Sequence, residues 1–176
     1  MMGFMVAIAT KNKTKDELIL IGTDINAENN ETDGNSEATI INNVDIFFDT
    51  IDNNVKQKSG GMLARVTIKG EILPEAKADI VKKLRKISEW ARDRSVETTY
   101  RDLCVGVKAA HDRFQVVYVV KNVFVVDYRE VYVGDGDHGS SGQDRFELYL
   151  TQRENNLDNI SVLTDWPKDW EWARKD

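Results

Sequence analysis

Alternating apolar and polar residues dominate this chain and predict a fold built mainly of β-strands. The pattern is clearest at residues 64–72 and 146–151, where apolar side chains occupy every second position. Such alternation is typical of a strand with one buried face and one face in water. Similar segments, rich in β-branched and aromatic residues, are predicted at residues 5–10, 18–23, 39–51, 103–107, 116–120, 123–133 and 160–163. We therefore expect about nine strands.

One segment, residues 73–94, has the periodicity of a helix. Pro74 suits a first helical turn, and apolar residues then recur every three or four positions. They are Ala76, Ile80, Leu84, Ile87 and Ala91, with Trp90 at the edge of the stripe. A regular strand-helix-strand alternation does not occur. The predicted fold is therefore mainly β, a small β-barrel flanked by one α-helix.

The composition fits one soluble domain. Of 176 residues, 41% are hydrophobic and 31% are charged, which is an ordinary balance for a globular protein. The net charge of -6 argues against binding of nucleic acid through phosphate contacts. The first residues carry too little positive charge and length for a signal peptide or a membrane span, so we expect synthesis in the cytoplasm and no membrane partner.

Residues 1–164 are predicted to form a single domain, followed by an aromatic tail at residues 165–176. Within the domain, residues 24–38 are acidic and rich in asparagine, which favours a mobile loop. The tail carries three of the four tryptophans, and its spacing of Trp166, Trp170 and Ala173 predicts a short helix. Two roles are open for the tail, because buried tryptophans stabilise both interfaces and cores. It clamps a neighbouring subunit or covers its own barrel.

The glycine-rich segment GDGDHG, residues 134–139, permits two interpretations. It resembles a segment of the magnesium-binding subunit of dihydroxyacetone-type kinases, and Asp135 and Asp137 could supply the oxygen ligands that magnesium prefers. That family places the segment in a helical domain, whereas here strand-like sequences flank it on both sides. A loop between two strands is therefore the favoured interpretation, with His138 in solvent. We predict no catalytic residue, metal or cofactor, and an inert core thiol at Cys104.

The order of segments in the second half of the chain resembles a known family. ARVTIKGEI is followed by a helix ending in ISEWA, then by YRDLCVGVKA, YVVKNVFVVDYREVY, the glycine-rich loop and FELYLTQRENNLDNISV. This order, over residues 64–162, is similar to the haemolysin-coregulated-protein-like tube proteins of contractile injection systems in Gram-positive bacteria. Those proteins are related to phage tail tubes. The most specific part is NVFVVDY, residues 122–128.

The resemblance implies a structural protein without enzymatic activity. It implies hexameric rings that stack into the inner tube of a virion-like or secreted particle, with the sheath and baseplate proteins as further partners. A baseplate or tube-cap component is the alternative. Exposed strand edges can join across subunits and so close a ring. Strands that are apolar on both faces fit either a neighbouring subunit or an ordinary two-layer core.

The strands on both sides of the glycine-rich loop are expected to supply the assembly edges, together with the tail. The residues assigned to this interface are Val125, Val126, Asp127, Tyr128, Phe146, Leu148, Tyr149, Trp166 and Trp170. Residues 24–38 and 42–58 are more polar than the resemblance implies, which leaves the register of the first two strands open.

Overall fold

Eight strands and one long helix form the described part of the protein. The structure is a computed structural model, and it describes residues 3–22, 41–50, 62–72, 78–109, 113–134, 143–153 and 160–173. The strands are β1 (Gly3–Ala9), β2 (Ile19–Gly22), β3 (Ile41–Thr50), β4 (Met62–Glu71), β5 (Arg101–Lys108), β6 (Phe114–Val131), β7 (Arg145–Gln152) and β8 (Ile160–Leu163). The helices are α1 (Ala78–Arg92) and α2 (Val96–Thr99), with 3-10 helices at Lys15–Glu17 and Lys168–Ala173.

The strands form one antiparallel sheet in the order β2-β1-β5-β6-β7-β4-β3. Strand β8 pairs only with β6, and it continues along the edge of β6 that β7 occupies further on. The prediction of a mainly β fold with one flanking helix is confirmed. Among the described strands, β2 and β3 end the order without pairing to each other, so backbone pairing does not close the sheet there.

Strand β6 is the longest of the described strands. The sequence predicted two strands interrupted at Lys121 and Asn122, but the structure has one strand of 18 residues. Asn122 adopts a φ of 57° at the interruption, a conformation that asparagine tolerates better than most residues. The register shifts there, so Val119 and Val123 contribute to different cores although both have odd numbers. The polar pair therefore marks a bend inside a strand.

The main core lies between the sheet and α1. In the described part of the helix, the predicted apolar stripe is confirmed at Ile80, Leu84 and Ile87, which are buried, while Ala91 is only partly buried. Trp90 is buried rather than peripheral, and its indole N–H donates a hydrogen bond of 2.8 Å to the carbonyl of Thr99. This bond satisfies the polar end of a large apolar side chain. Strand β4 alternates as predicted, with Val66 buried.

A second core lies on the opposite face of β1, β5 and β6, under the C-terminal tail. Trp166, Trp170 and Ala173 pack there with small residues of the sheet and the buried Cys104. The predicted short helix is a 3-10 helix, and the Trp166 indole N–H donates to the Trp170 carbonyl at 2.9 Å. In this structure the tail covers its own sheet.

Several sequence predictions lie outside the described residues. They concern the loop at residues 24–38, the first turn of the helix at residues 73–77, and the glycine-rich motif beyond Gly134 with Asp135, Asp137 and His138. The prediction for Cys104 does fall on a described residue. Its side chain is fully buried, and burial raises the pKa of the thiol well above its ordinary value. An inert thiol is therefore expected in the folded protein.

Candidate assembly surfaces

The nine residues predicted for the assembly interface divide by burial. Phe146 and Leu148 are fully buried in the main core, and Trp166 and Trp170 are buried in the second core. Their side chains stabilise the chain itself, because the alternation that places them on one face of the sheet places that face inside the molecule. Whether they also act in assembly stays a prediction.

The remaining five residues lie nearer the surface. Val126 and Asp127 are exposed, Tyr149 is partly buried, and Val125 and Tyr128 pack partly against the main core. Val125 pairs with Leu150 and Asp127 pairs with Tyr149, which leaves Val126 as an extra residue in β6. This β-bulge turns Val126 outward to 61% exposure. The alternation in VFVVDY did not reveal the bulge.

A groove of about 1040 Å³ crosses the outer face of β4, β6 and β7. It is larger than most small-molecule pockets, which measure about 300–1,000 Å³. Its floor and walls include Leu63, Phe124, Val126 and Tyr149, while Arg65 and Arg153 lie at its rim. On the same outer face of the sheet, the tail covers β1, β5 and the first half of β6. The covered and uncovered halves therefore adjoin along β6.

The polar groups around the groove differ in how they are paired. Arg65 forms a salt bridge of 2.8 Å with Asp49. The guanidinium of Arg153 lies over the ring of Tyr100, 5.0 Å from its centroid, and none of the described carboxylates pairs with it. Tyr100 in turn contacts Phe124 edge to face at 5.8 Å. This stack holds the guanidinium of Arg153 in place at the groove.

Tyr149 is held by a carboxylate on its own strand. Its hydroxyl donates to Glu147 at 2.7 Å, and this hydrogen bond raises the pKa of Tyr149. Neighbouring Asp127 raises it further through its negative charge. Tyr149 is therefore a neutral hydrogen-bond donor and apolar contact at physiological pH.

Exposed apolar side chains also occur at the ends of the sheet. On β8, Val162 is 58% exposed and is followed by exposed Leu163. On β3, Phe47 is 56% exposed, and Phe48 contacts Tyr118 with ring centroids 6.4 Å apart. Sequence reasoning did not single out these four residues. The adjacent phenylalanines break the alternation, which is the signal that one of them faces outward.

Two acidic side chains with shifted pKa values are held by local hydrogen bonds, at Glu17 and at Asp93. No group of three or more His, Cys, Asp or Glu side chains among the described residues could hold a metal ion. The lowered pKa values of Glu17 and Asp93 arise from hydrogen bonds with threonines of the same chain, Thr10 with Thr14 and Thr98 respectively. No helix in the described ranges is long and apolar enough to cross a membrane.

Comparison with known proteins places the chain by its fold. No protein-family model and no curated protein matches the sequence. A solved structure of an Hcp protein aligns with 96% of this chain and 99% of its own, at 11% identity and a TM-score of 0.52. A mutant Hcp1 protein from E. coli EAEC 042 aligns with 93% of this chain and 98% of its own, at 10% identity and a TM-score of 0.50.

A third solved structure superposes less well on this chain. The sheath-tube complex of an extracellular contractile injection system contains a chain with 13% identity and a TM-score of 0.46. The alignment covers 92% of this chain and 88% of that one. The likeness to the two Hcp structures, at TM-scores of 0.52 and 0.50, establishes the fold. The chain therefore has the Hcp fold, in agreement with the resemblance seen in its sequence.

Proposed function

We propose that this protein is a structural subunit that assembles into hexameric rings, which stack as the inner tube of a contractile injection particle. The observation that carries the proposal is the likeness to an Hcp protein over nearly the full length of both chains. The order of segments over residues 64–162 supports it independently, because it resembles tube proteins of the same kind.

The exposed surfaces fit self-assembly. Strands β2, β3 and β8 each have one edge without a partner among the described strands, and unpaired edges are the usual sites of strand-mediated association. Val126, Val162 and Phe47 are more than half exposed on the strands. A ring of identical subunits covers such surfaces when two different faces of one chain meet in neighbouring copies.

A structural role without enzymatic activity completes the proposal. Burial raises the pKa of Cys104, and local hydrogen bonds lower the pKa values of Glu17 and Asp93 and raise that of Tyr149 in the groove. Each of these shifts follows from contacts within the fold, which supports a structural role. The partners in this role are further copies of the chain, together with sheath and baseplate proteins, in a particle that acts outside the cell.

Electron microscopy of the purified protein, alone and with its sheath protein, tests the proposal. Six-fold rings or stacked rings are the expected result. Strictly monomeric protein at high concentration, with no rings even beside the sheath, would contradict it. Counting the copies in intact particles separates the tube from a cap or baseplate component, because a tube contains many rings and a cap or baseplate layer only a few.

A further inference from the structure

We propose that neighbouring copies in the ring meet head to tail, with the end of β8 from one copy seated in the groove of the next. The groove is the surface bordered by Arg65 and Arg153 and floored by Phe124, Val126 and Tyr149. The part of the other copy that enters the groove is the end of β8, where Val162, Leu163 and Asp165 are exposed. This inference rests on the proposed ring assembly and assigns the surfaces that form it.

None of the described residues covers the groove, whereas the tail covers the outer face of β1, β5 and the first half of β6. The tail buries the neighbouring half of that face with Trp166 and Trp170. In the uncovered half, Val126 is 61% exposed because the bulge in β6 turns it outward. Phe124, Val126 and Tyr149 line the same groove, and apolar side chains that share one surface, rather than single exposed ones, indicate a contact for another protein.

The charged side chains around the groove indicate what kind of surface would bind there. The guanidinium of Arg153 is fixed against Tyr100, and no described carboxylate pairs with it. A cation held in this way beside an apolar floor suits an apolar surface that carries a carboxylate. Asp49 already neutralises Arg65, and Asp127 lies beside Tyr149. The contact therefore calls for about one carboxylate, placed at Arg153, rather than for a strongly acidic partner.

The end of β8 combines exposed apolar side chains with one carboxylate. Val162 is 58% exposed and Leu163 is 37% exposed. Asp165 follows two positions later, is exposed, and has no cationic partner among the described side chains. Leu163 pairs with Val117 and so lies on the outer face of the sheet, whereas Val162 pairs with Tyr118 and lies on the other face. Leu163 would therefore cover the groove floor while Asp165, two positions later, reaches Arg153. The contact would bury exposed apolar area and pair the two charges at once.

The two surfaces cannot meet within one chain. Leu163 pairs with Val117, and Val126 lies nine positions further along β6. At about 3.3 Å per residue, the path along the strand is about 30 Å. Because the surfaces differ and lie apart, joining them in successive copies makes a heterologous contact, which closes into a ring if the rotation permits.

Disulfide trapping tests the contact. Val126→Cys and Leu163→Cys are prepared separately and mixed under oxidising conditions, while the native Cys104 stays fully buried. A disulfide needs Cα atoms within about 7 Å, so a linked product reports a contact between chains. The matched control is Val96→Cys, which is 74% exposed on α2. We expect at least about tenfold more linked dimer with Leu163→Cys than with the control, since docked surfaces are effectively concentrated.

The variant carrying both cysteines extends the test. We expect a covalent ladder on a denaturing gel that ends at the hexamer. A ladder that continues beyond six would place the contact between stacked rings and contradict the ring assignment. Linkage of Val126→Cys to itself would indicate face-to-face contact and would contradict the head-to-tail arrangement.

Charge reversal provides a second measurement. Arg153→Glu alone and Asp165→Arg alone should each weaken ring association about tenfold or more, while the two together restore it. The control Arg94→Glu changes an exposed charge just beyond α1 and should leave association unchanged. Failure of the double variant to recover would contradict pairing of Arg153 with Asp165.

The outcomes distinguish this inference from the proposed function. Rings that form without any linkage between positions 126 and 163 would overturn the contact and leave the tube proposal standing. Absence of rings under all conditions would overturn the tube proposal itself. Thermal melts of each variant verify that the chain is folded.

Discussion

The backbone N–H of Asn122 donates a hydrogen bond of 3.1 Å to Oδ1 of Asp102 on the neighbouring strand β5. Asn122 has a φ of 57° and lies where β6 changes its edge partner from β8 to β7. The buried side chain of Gln152 supports the same bend by donating to the carbonyl of Lys121 at 3.2 Å and accepting from the N–H of Ala64 at 3.3 Å. Three strands therefore hold the bend in place.

The left-handed backbone at Asn122 restricts which residues this position tolerates. Asn122→Val should lower the free energy of unfolding by about 1–2 kcal/mol, because a β-branched residue is strained at positive φ. Asn122→Gly should be nearly neutral, because glycine adopts this conformation without a steric penalty. Urea denaturation of both variants measures the difference. Equal stability of the two would show that the bend does not depend on backbone conformation at this residue.

Gly106 leaves room for the aromatic cover of the second core. A Cβ atom there would lie 2.3 Å from Cε1 of Phe114 and 3.3 Å from Cζ3 of Trp166. The two rings stack with centroids 5.3 Å apart, so neither moves without disturbing the other. Gly106→Ala should therefore destabilise the protein by about 1–3 kcal/mol.

Gly134 is the matched control for this substitution. A Cβ atom at Gly134 would have no neighbour within 4 Å. Gly134→Ala should change the free energy of unfolding by less than about 0.5 kcal/mol. A loss at Gly134 as large as that at Gly106 would contradict the packing described under the tail.

The tail should control access to the only cysteine. Trp170 is 1% exposed and packs in the same cluster as the fully buried Cys104. Trp170→Ala should cost about 3–5 kcal/mol and should make the thiol reactive toward a disulfide reagent in the folded protein. The native protein should react only on unfolding. An unreactive thiol in a folded Trp170→Ala variant would show that the tail does not seal this face.

Glu17 gives the stability a defined pH dependence. Hydrogen bonds from Thr10 and Thr14 lower the pKa of its carboxyl below the ordinary value of 4.5. The folded state therefore favours the ionised form, and this stabilisation is present above about pH 4.5 and is lost as the pH falls through the lowered pKa.

The matched variant is Thr10→Val, which removes the first of these hydrogen bonds. Denaturant unfolding of the native protein and the variant at pH 6 and pH 3 measures the effect. The native protein should be the more stable at pH 6, and the difference should shrink at pH 3. A difference that is the same at both pH values would show that Thr10 acts through packing alone.

Much of the fold could be predicted from the sequence because its strands alternate. The buried positions Val66 and Ile68 in β4, and Phe146 and Leu148 in β7, follow a period of two without interruption. The helix stripe was equally clear at Ile80, Leu84 and Ile87. Local patterns of this kind depend on a single buried face, which the sequence expresses directly.

The surfaces were harder to predict because they depend on irregularities. The bulge that exposes Val126 and the bend at Asn122 each shift the register by one residue, and either shift reverses the face of every following side chain. Apolar residues such as Leu148 and Val162 look alike in sequence, although the first is buried and the second is 58% exposed. Their difference arises from which strands lie beside them.

Native mass spectrometry tests the central claim most directly. Six copies of the 20.0 kDa chain give a ring of about 120 kDa. We expect this species, together with multiples of it, in the purified protein at micromolar concentration. A single species at the mass of the monomer, unchanged as the concentration is raised, would contradict the claim that this chain is a ring-forming tube subunit.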